Sequence, residues 1–179
     1  IVFGDWSSDV CSSDLTYTST VYASSWSPDG KYLAIAGSGA RSGFGGFDNR
    51  DNLRIYQFNT ATFTLTPMVS VDFGITSTIY SVDWGGIDDY YIAIGGSGAL
   101  AVGNFDNTHN LRIYHFDKNN INLEPIASYD SGNIVKTAKW NFSGAYLAFG
   151  GRENETTCNL NLLYFRSEER RVGKECRSR

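Results

Sequence analysis

Side chains suited to chemistry gather in two glycine-rich stretches of the chain. In the first, Asp48, Asn49, Asp51 and Asn52 form a dense oxygen-rich cluster, repeated in part as Asp106, Asn107 and Asn110 in the second. Carboxylate and amide oxygens at this density are ligands of the type calcium takes. They are equally the side chains that cap turns. The same stretches carry Arg41, Phe44 and Arg50 in one copy and Leu100, Val102 and His109 in the other. Arginine and apolar groups held on loops of a rigid scaffold make a protein contact surface. Phe47 and Phe105 recur at one position, so they are expected to plug the loop base, leaving Arg41, Phe44 and Arg50 as the better contact candidates.

Enzymatic chemistry finds little to work with. The two histidines, His109 and His115, have Asp51 and Gln57 as their first-copy equivalents, so neither belongs to a repeated framework. No Ser/His/Asp order, HExxH or nucleophile elbow can be read. The glycine-rich stretches GSGARSGFGG and GGSGALAVGN lack the Gly-Lys-Ser/Thr ending of a phosphate-cradling loop and open no helix. No catalytic residue and no cofactor are expected.

What positions these loops is an internal repeat. TSTVYASSW at Thr18–Trp26 returns as TSTIYSVDW at Thr76–Trp84, 58 residues later. AIAGSGA at Ala34 returns as AIGGSGA at Ala93, and NLRIY at Asn52 returns at Asn110. A third copy keeps Trp140, AYLAFGG at Ala145–Gly151 and NLNLLYF at Asn159–Phe165. Such a period belongs to arrays whose units bury their apolar faces only by stacking on one another.

The ends stand outside the repeat. GDWSSDVCSSDL at Gly4–Leu15 and RSEERRVGKECRSR at Arg166–Arg179 closely resemble translated adapter oligonucleotides of short-read DNA sequencing. The expected division is therefore 1–15 adapter-like, 16–74 first repeat, 75–132 second repeat, 133–165 incomplete third repeat and 166–179 adapter-like, which makes the chain an internal fragment. Setting the ends aside leaves Cys158 as the single cysteine, with no disulfide framework or zinc pattern. It also leaves nine basic and thirteen acidic residues, with no basic stripe to hold nucleic-acid phosphates. No apolar run is long enough to cross a bilayer as a helix.

Each repeat reads as four strands. Val21–Trp26 alternates so that Tyr22, Ser24 and Trp26 share a face, as do Tyr80, Val82 and Trp84. Ser27-Pro28-Asp29-Gly30 makes a turn. Tyr32–Ala36, Tyr91–Ile94 and Tyr146–Phe149 are continuously apolar, suiting a strand covered on both sides. Leu53–Phe58 is the third strand and Leu65–Val71 the fourth. Pro67 and Pro125 sit at one position inside that fourth strand and cannot donate to a ladder, which makes it the sheet edge.

Four-stranded sheets with one tryptophan each describe propeller blades. WSPDGKYLAIAG at Trp26–Gly37 followed by NLRIYQF at Asn52–Phe58, with their counterparts, resembles the WD-repeat family. The chain departs from that family where Tyr56-Gln57, Tyr114-His115 and Leu163-Tyr164 replace Trp-Asp, and where Thr-Ser-Thr replaces Gly-His. The resemblance implies an all-β partial propeller of antiparallel blades, left open by truncation. Trp26, Trp84, Trp140, Tyr56 and Tyr114 then serve as structural repeats. The long loops share a rim with the segments leading into each first strand. The function expected is a non-enzymatic scaffold with a protein partner. The alternative is a fragment of a lactonase-like, metal-dependent hydrolase propeller, with Asn52 and Asn110 as local ligand candidates.

Overall fold

The computed structural model describes residues 20–38, 51–73, 77–86, 90–97, 110–131, 134–152 and 160–165. Within them the first sheet holds β1 (Val21–Trp26), β2 (Tyr32–Gly37), β3 (Leu53–Asn59) and β4 (Thr64–Val71). The second holds β5 (Thr78–Gly85), β6 (Tyr91–Ser97), β7 (Leu111–Asp117) and β8 (Asn122–Tyr129). The third holds β9 (Ile134–Trp140), β10 (Tyr146–Arg152) and β11 (Leu160–Tyr164). Each strand pairs antiparallel with the next in sequence, so every sheet is a meander.

The turns show how the sequence sets these registers. After β1, Gly30 takes φ 70° and donates to Ser27 O at 2.8 Å, while Ser27 Oγ accepts from Tyr32 N at 2.9 Å. The third copy replaces that serine with Asn141, whose Oδ1 accepts from Ala145 N and Tyr146 N at 3.0 Å each. Between β3 and β4, Asn59 Oδ1 takes the amides of Ala61 and Thr62, and between β7 and β8 Asp117 does the same for Asn119 and Asn120. These local bonds are the turn chemistry that Asn, Asp and Ser supply. Pro67 and Pro125 fall in the outermost strands β4 and β8, next to register shifts at Ile55/Tyr56 and Ile113/Tyr114. There a missing N–H costs least.

The core lies between sheets. Tyr32, Ala34, Ala36, Leu53 and Ile55 of the first sheet pack against Phe73, Ile79, Val82, Trp84, Tyr90, Ile92, Ile94, Tyr114 and Phe116. The same positions one repeat later, Tyr91, Ala93, Leu111 and Ile113, pack against Val135, Ala138, Leu147 and Phe149 of the third sheet. Alternate residues of β6 thus face the first and the third sheet, which is why that strand is apolar from Tyr91 to Ile94. Each sheet has a leading face toward the one before it and a trailing face toward the one after.

Candidate functional site

The innermost strands carry a repeated irregularity. Val21 pairs with Gly37 and Ala23 with Ala36, which leaves Tyr22 without an opposite residue. Tyr80 is skipped in the same way between Ile79 and Ser81, and Lys136 between Val135 and Thr137. Each is the extra residue of a β-bulge, a device that bends a strand and re-aims one side chain. Opposite the bulge stands Gly37, Gly96 or Gly151. A Cβ there would overlap the carbonyl oxygen of Thr20, Thr78 or Ile134. Glycine is thus what lets the two backbones approach.

The bulge corrects the straight alternation read from the sequence. Ile79, Val82 and Trp84 share the buried leading face of β5, while Tyr80 turns away from it. Released from the core, Tyr22, Tyr80 and Lys136 form a ladder across the three sheets. The Tyr22 and Tyr80 rings meet edge-on at 5.2 Å, and Lys136 Nζ lies 3.2 Å from the Tyr80 ring centre. A hydrogen bond with Ser97 is the main influence lowering the Tyr80 pKa; burial opposes it, and Lys136 and Thr78 assist. Ser38 and Ser97 end the described parts of the second strands, so the ladder stands at the base of both long loops.

Deeper in the same strands a polar strut joins all three sheets. Asp83 Oδ1 accepts from Ser25 Oγ at 3.2 Å and from Lys139 Nζ at 2.8 Å, and its Oδ2 accepts from Trp140 N at 2.8 Å. Ser25, Asp83 and Lys139 occupy one repeat position, immediately before each tryptophan. At the turn end, Asp29 accepts from Ser27 Oγ and Tyr90 Oη, both at 2.7 Å. Burial opposes its ionisation, but the bonds from Ser27, Tyr90 and Lys31 outweigh it and hold the carboxyl at about 2. Burial and the Asp29 charge push the Tyr90 phenol up to about 12.

Trp84 and Trp140 sit where sheets meet, while Trp26 is largely exposed on the first sheet. Trp84 Nε1 donates to Ser25 O at 2.9 Å, and the Trp140 ring lies against Gly85, where a Cβ would stand 2.6 Å from it. Tyr56 and Tyr114 are buried, and burial raises both phenols despite the hydrogen bonds of Arg54 and Arg112. Those two arginines, themselves buried, were not singled out in the sequence; a charged residue repeated inside an apolar strand was the available signal.

Asn52 is fully buried with both ends of its amide engaged. Its Nδ2 donates to Ser77 O and its Oδ1 accepts from Phe73 N, each at 2.9 Å. It clamps the connection between the first two sheets. Asp51 beside it is buried, and its charge acts to raise the Tyr56 phenol. Asn110 stands at the start of β7, half-buried, and its carbonyl accepts from Gly96 N at 3.0 Å. His115 lies on β7 with Nδ1 3.9 Å from Glu124, its cross-strand neighbour. Arg41, Phe44, Arg50, Leu100, Val102 and His109 lie outside the described residues, as do Asp48, Asn49, Asp106, Asn107 and both adapter-like ends. Among the described residues, no three His, Cys, Asp or Glu side chains are grouped to hold a metal ion.

Successive meander sheets, packed face to face with their first strands innermost, define an open, partial β-propeller. No protein-family model matches the chain, and no curated protein matches it. Solved structures to which the chain is similar include the following two. One is Saccharomyces cerevisiae Sqt1, at 11% identity and a TM-score of 0.51 over 84% of this chain and 36% of that one. The other is the β-propeller domain of Myceliophteria thermophila Cps50 (Swd1), at 12% identity and a TM-score of 0.49 over 74% and 37%. The chain therefore spans little more than a third of either. Likeness at this level of identity concerns the fold alone.

Proposed function

We infer that this chain is part of a non-enzymatic scaffold that binds a protein partner on the rim where the two long loops emerge. The observation that carries this reading is the Tyr22–Tyr80–Lys136 ladder at the base of those loops. Three separate bulges turn two tyrosines and a lysine out of the core, although burying the tyrosine rings would have added to stability. Tyrosine and cation–π pairs give large contact area at low entropic cost. Arg41, Phe44 and Arg50 would extend the surface from the first loop, and Leu100, Val102 and His109 from the second. Of the two local ligand candidates of the hydrolase alternative, Asn52 has its amide taken up by backbone groups.

The test is photo-crosslinking from position 80, with Phe44→Ala/Arg50→Ala and Lys136→Ala compared against Lys31→Ala at the opposite end of the strands. Crosslinks to one protein, lost in the first two variants and kept in the third, are expected. Equal recovery from all three overturns the reading.

A further inference from the structure

Each interior joint between sheets repeats one aromatic arrangement. A tryptophan at the end of the first strand meets edge-on a phenylalanine in the third strand or just past its end, with centroids 5.7 Å apart for Trp84–Phe116 and 5.4 Å for Trp140–Phe165. Into this pair the preceding sheet sends the tyrosine that opens its second strand. Tyr32 meets Phe116 at 5.0 Å and Trp84 at 6.4 Å, and Tyr91 meets Phe165 at 5.4 Å.

The two ends of the stack hold the unmatched halves of that joint. Trp26 and Phe58 form the same pair at 5.2 Å on the first sheet, and no preceding sheet covers it among the described residues. Trp26 is 48% exposed, where Trp84 is 6%. At the other end Tyr146 occupies the position of Tyr32 and Tyr91 and is 43% exposed, against 7% and 3% for those two. Around it Leu160 and Leu162 are 70% and 67% exposed, while their equivalents Leu111 and Ile113 are 1% and 4%. One end carries a seat without its tyrosine and the other a tyrosine without its seat.

We propose that the trailing face of the third sheet receives the leading face of the first sheet from a second copy of this chain, a head-to-tail joint built like the two interior ones. The occupant follows from the molecule itself, because the surface that fits Tyr146, Leu160 and Leu162 is displayed at its opposite end. Tyr56 stays buried on that leading face, so the seat comprises exposed Val21 and Trp26 with half-buried Phe58 beside the tryptophan. Such an interface is heterologous, so each copy keeps one face free and growth continues unless a ring closes.

The experiment is sedimentation velocity on the full chain and two variants from about 1 to 200 μM, a range in which a small interface shows itself. The wild type is expected to exceed its 19.8 kDa monomer mass as concentration rises. Trp26→Asp and Leu162→Asp each block one face, so each alone should remain monomeric. An equimolar mixture should form a heterodimer of about twice the monomer mass, because each variant retains the face that the other lacks. Val21→Asp and Leu160→Asp repeat the design should either variant fail to fold. A wild type that stays monomeric throughout, a single variant that still assembles, or a mixture no heavier than its components overturns the proposal.

Discussion

Replacing Asn52 with leucine keeps the size of the side chain and removes both of its hydrogen bonds. The cost follows from what is left behind, namely the Phe73 N–H and the Ser77 carbonyl, each now facing an apolar group in a fully buried site. Orphaning a buried backbone group costs about 1–3 kcal/mol, so the pair should cost about 2–6 kcal/mol. That is a large part of the roughly 5–15 kcal/mol that holds a domain folded. With a urea slope near 2 kcal/mol/M, the midpoint should fall by about 1–3 M. Asn52→Asp separates the clamp from a ligand role. Its carboxylate can still accept from Phe73 N, but sets a negative charge against the Ser77 carbonyl oxygen in a buried place. Burial raises its folded pKa above the ordinary value near 4. The folded state then binds a proton that the unfolded state has released, so stability falls as pH rises from about 4 to 7. Below about pH 4 the protonated carboxyl donates to Ser77 O and most of the loss is recovered. A loss under about 0.5 kcal/mol in Asn52→Leu would refute the clamp, since it lies below the cost of even one orphaned group. So would an Asn52→Asp variant that tracks the wild type across pH, or wild-type stability that falls on adding a chelator.

Two further changes probe the bulge and the turn. Gly96→Ala places a Cβ 2.5 Å from Thr78 O, on backbone that cannot yield cheaply, and should cost about 1–3 kcal/mol. It should also weaken the near-ultraviolet signal of the Tyr22–Tyr80 contact; an unchanged melt and spectrum would mean that the close approach does not matter. Asp29, held at about 2 against an ordinary 3.8, contributes stability that is fully present above pH 3.8 and lost as pH falls through about 2. Since the carboxyl is partly exposed, the effect should not exceed about 1 kcal/mol, and Asp29→Asn should flatten it. An acid limb of the stability curve identical in both proteins would count against that assignment.

The strands were legible because their determinants are local. Continuous apolar runs at Tyr32, Tyr91 and Tyr146 start the second strands where expected, and Pro67 and Pro125 fall on edge strands because a residue without an N–H has few other places in a sheet. The bulge was not legible from TSTIYSVDW, whose alternation looks unbroken. Its sign lay on the partner strand, in glycines at positions 37, 96 and 151 that do not serve a turn. Alternation describes one strand, whereas a bulge belongs to a pair.

The strut was hidden for a different reason. Repeat detection rewards identity, and Ser25, Asp83 and Lys139 share a position while differing in every chemical respect. Neighbouring sheets touch at equivalent positions, so identical acids or identical lysines there would repel one another across the joint. A hydroxyl, a carboxylate and an ammonium in succession satisfy each other instead, at 3.2 and 2.8 Å. In a stack of this kind the invariant positions, such as the tryptophans, build each joint. The variable ones can fix which sheet sits next to which, because a Lys-bearing sheet stacks favourably on an Asp-bearing one and poorly on another of its own sort. The positions where the copies disagree are therefore where the order of the blades is written.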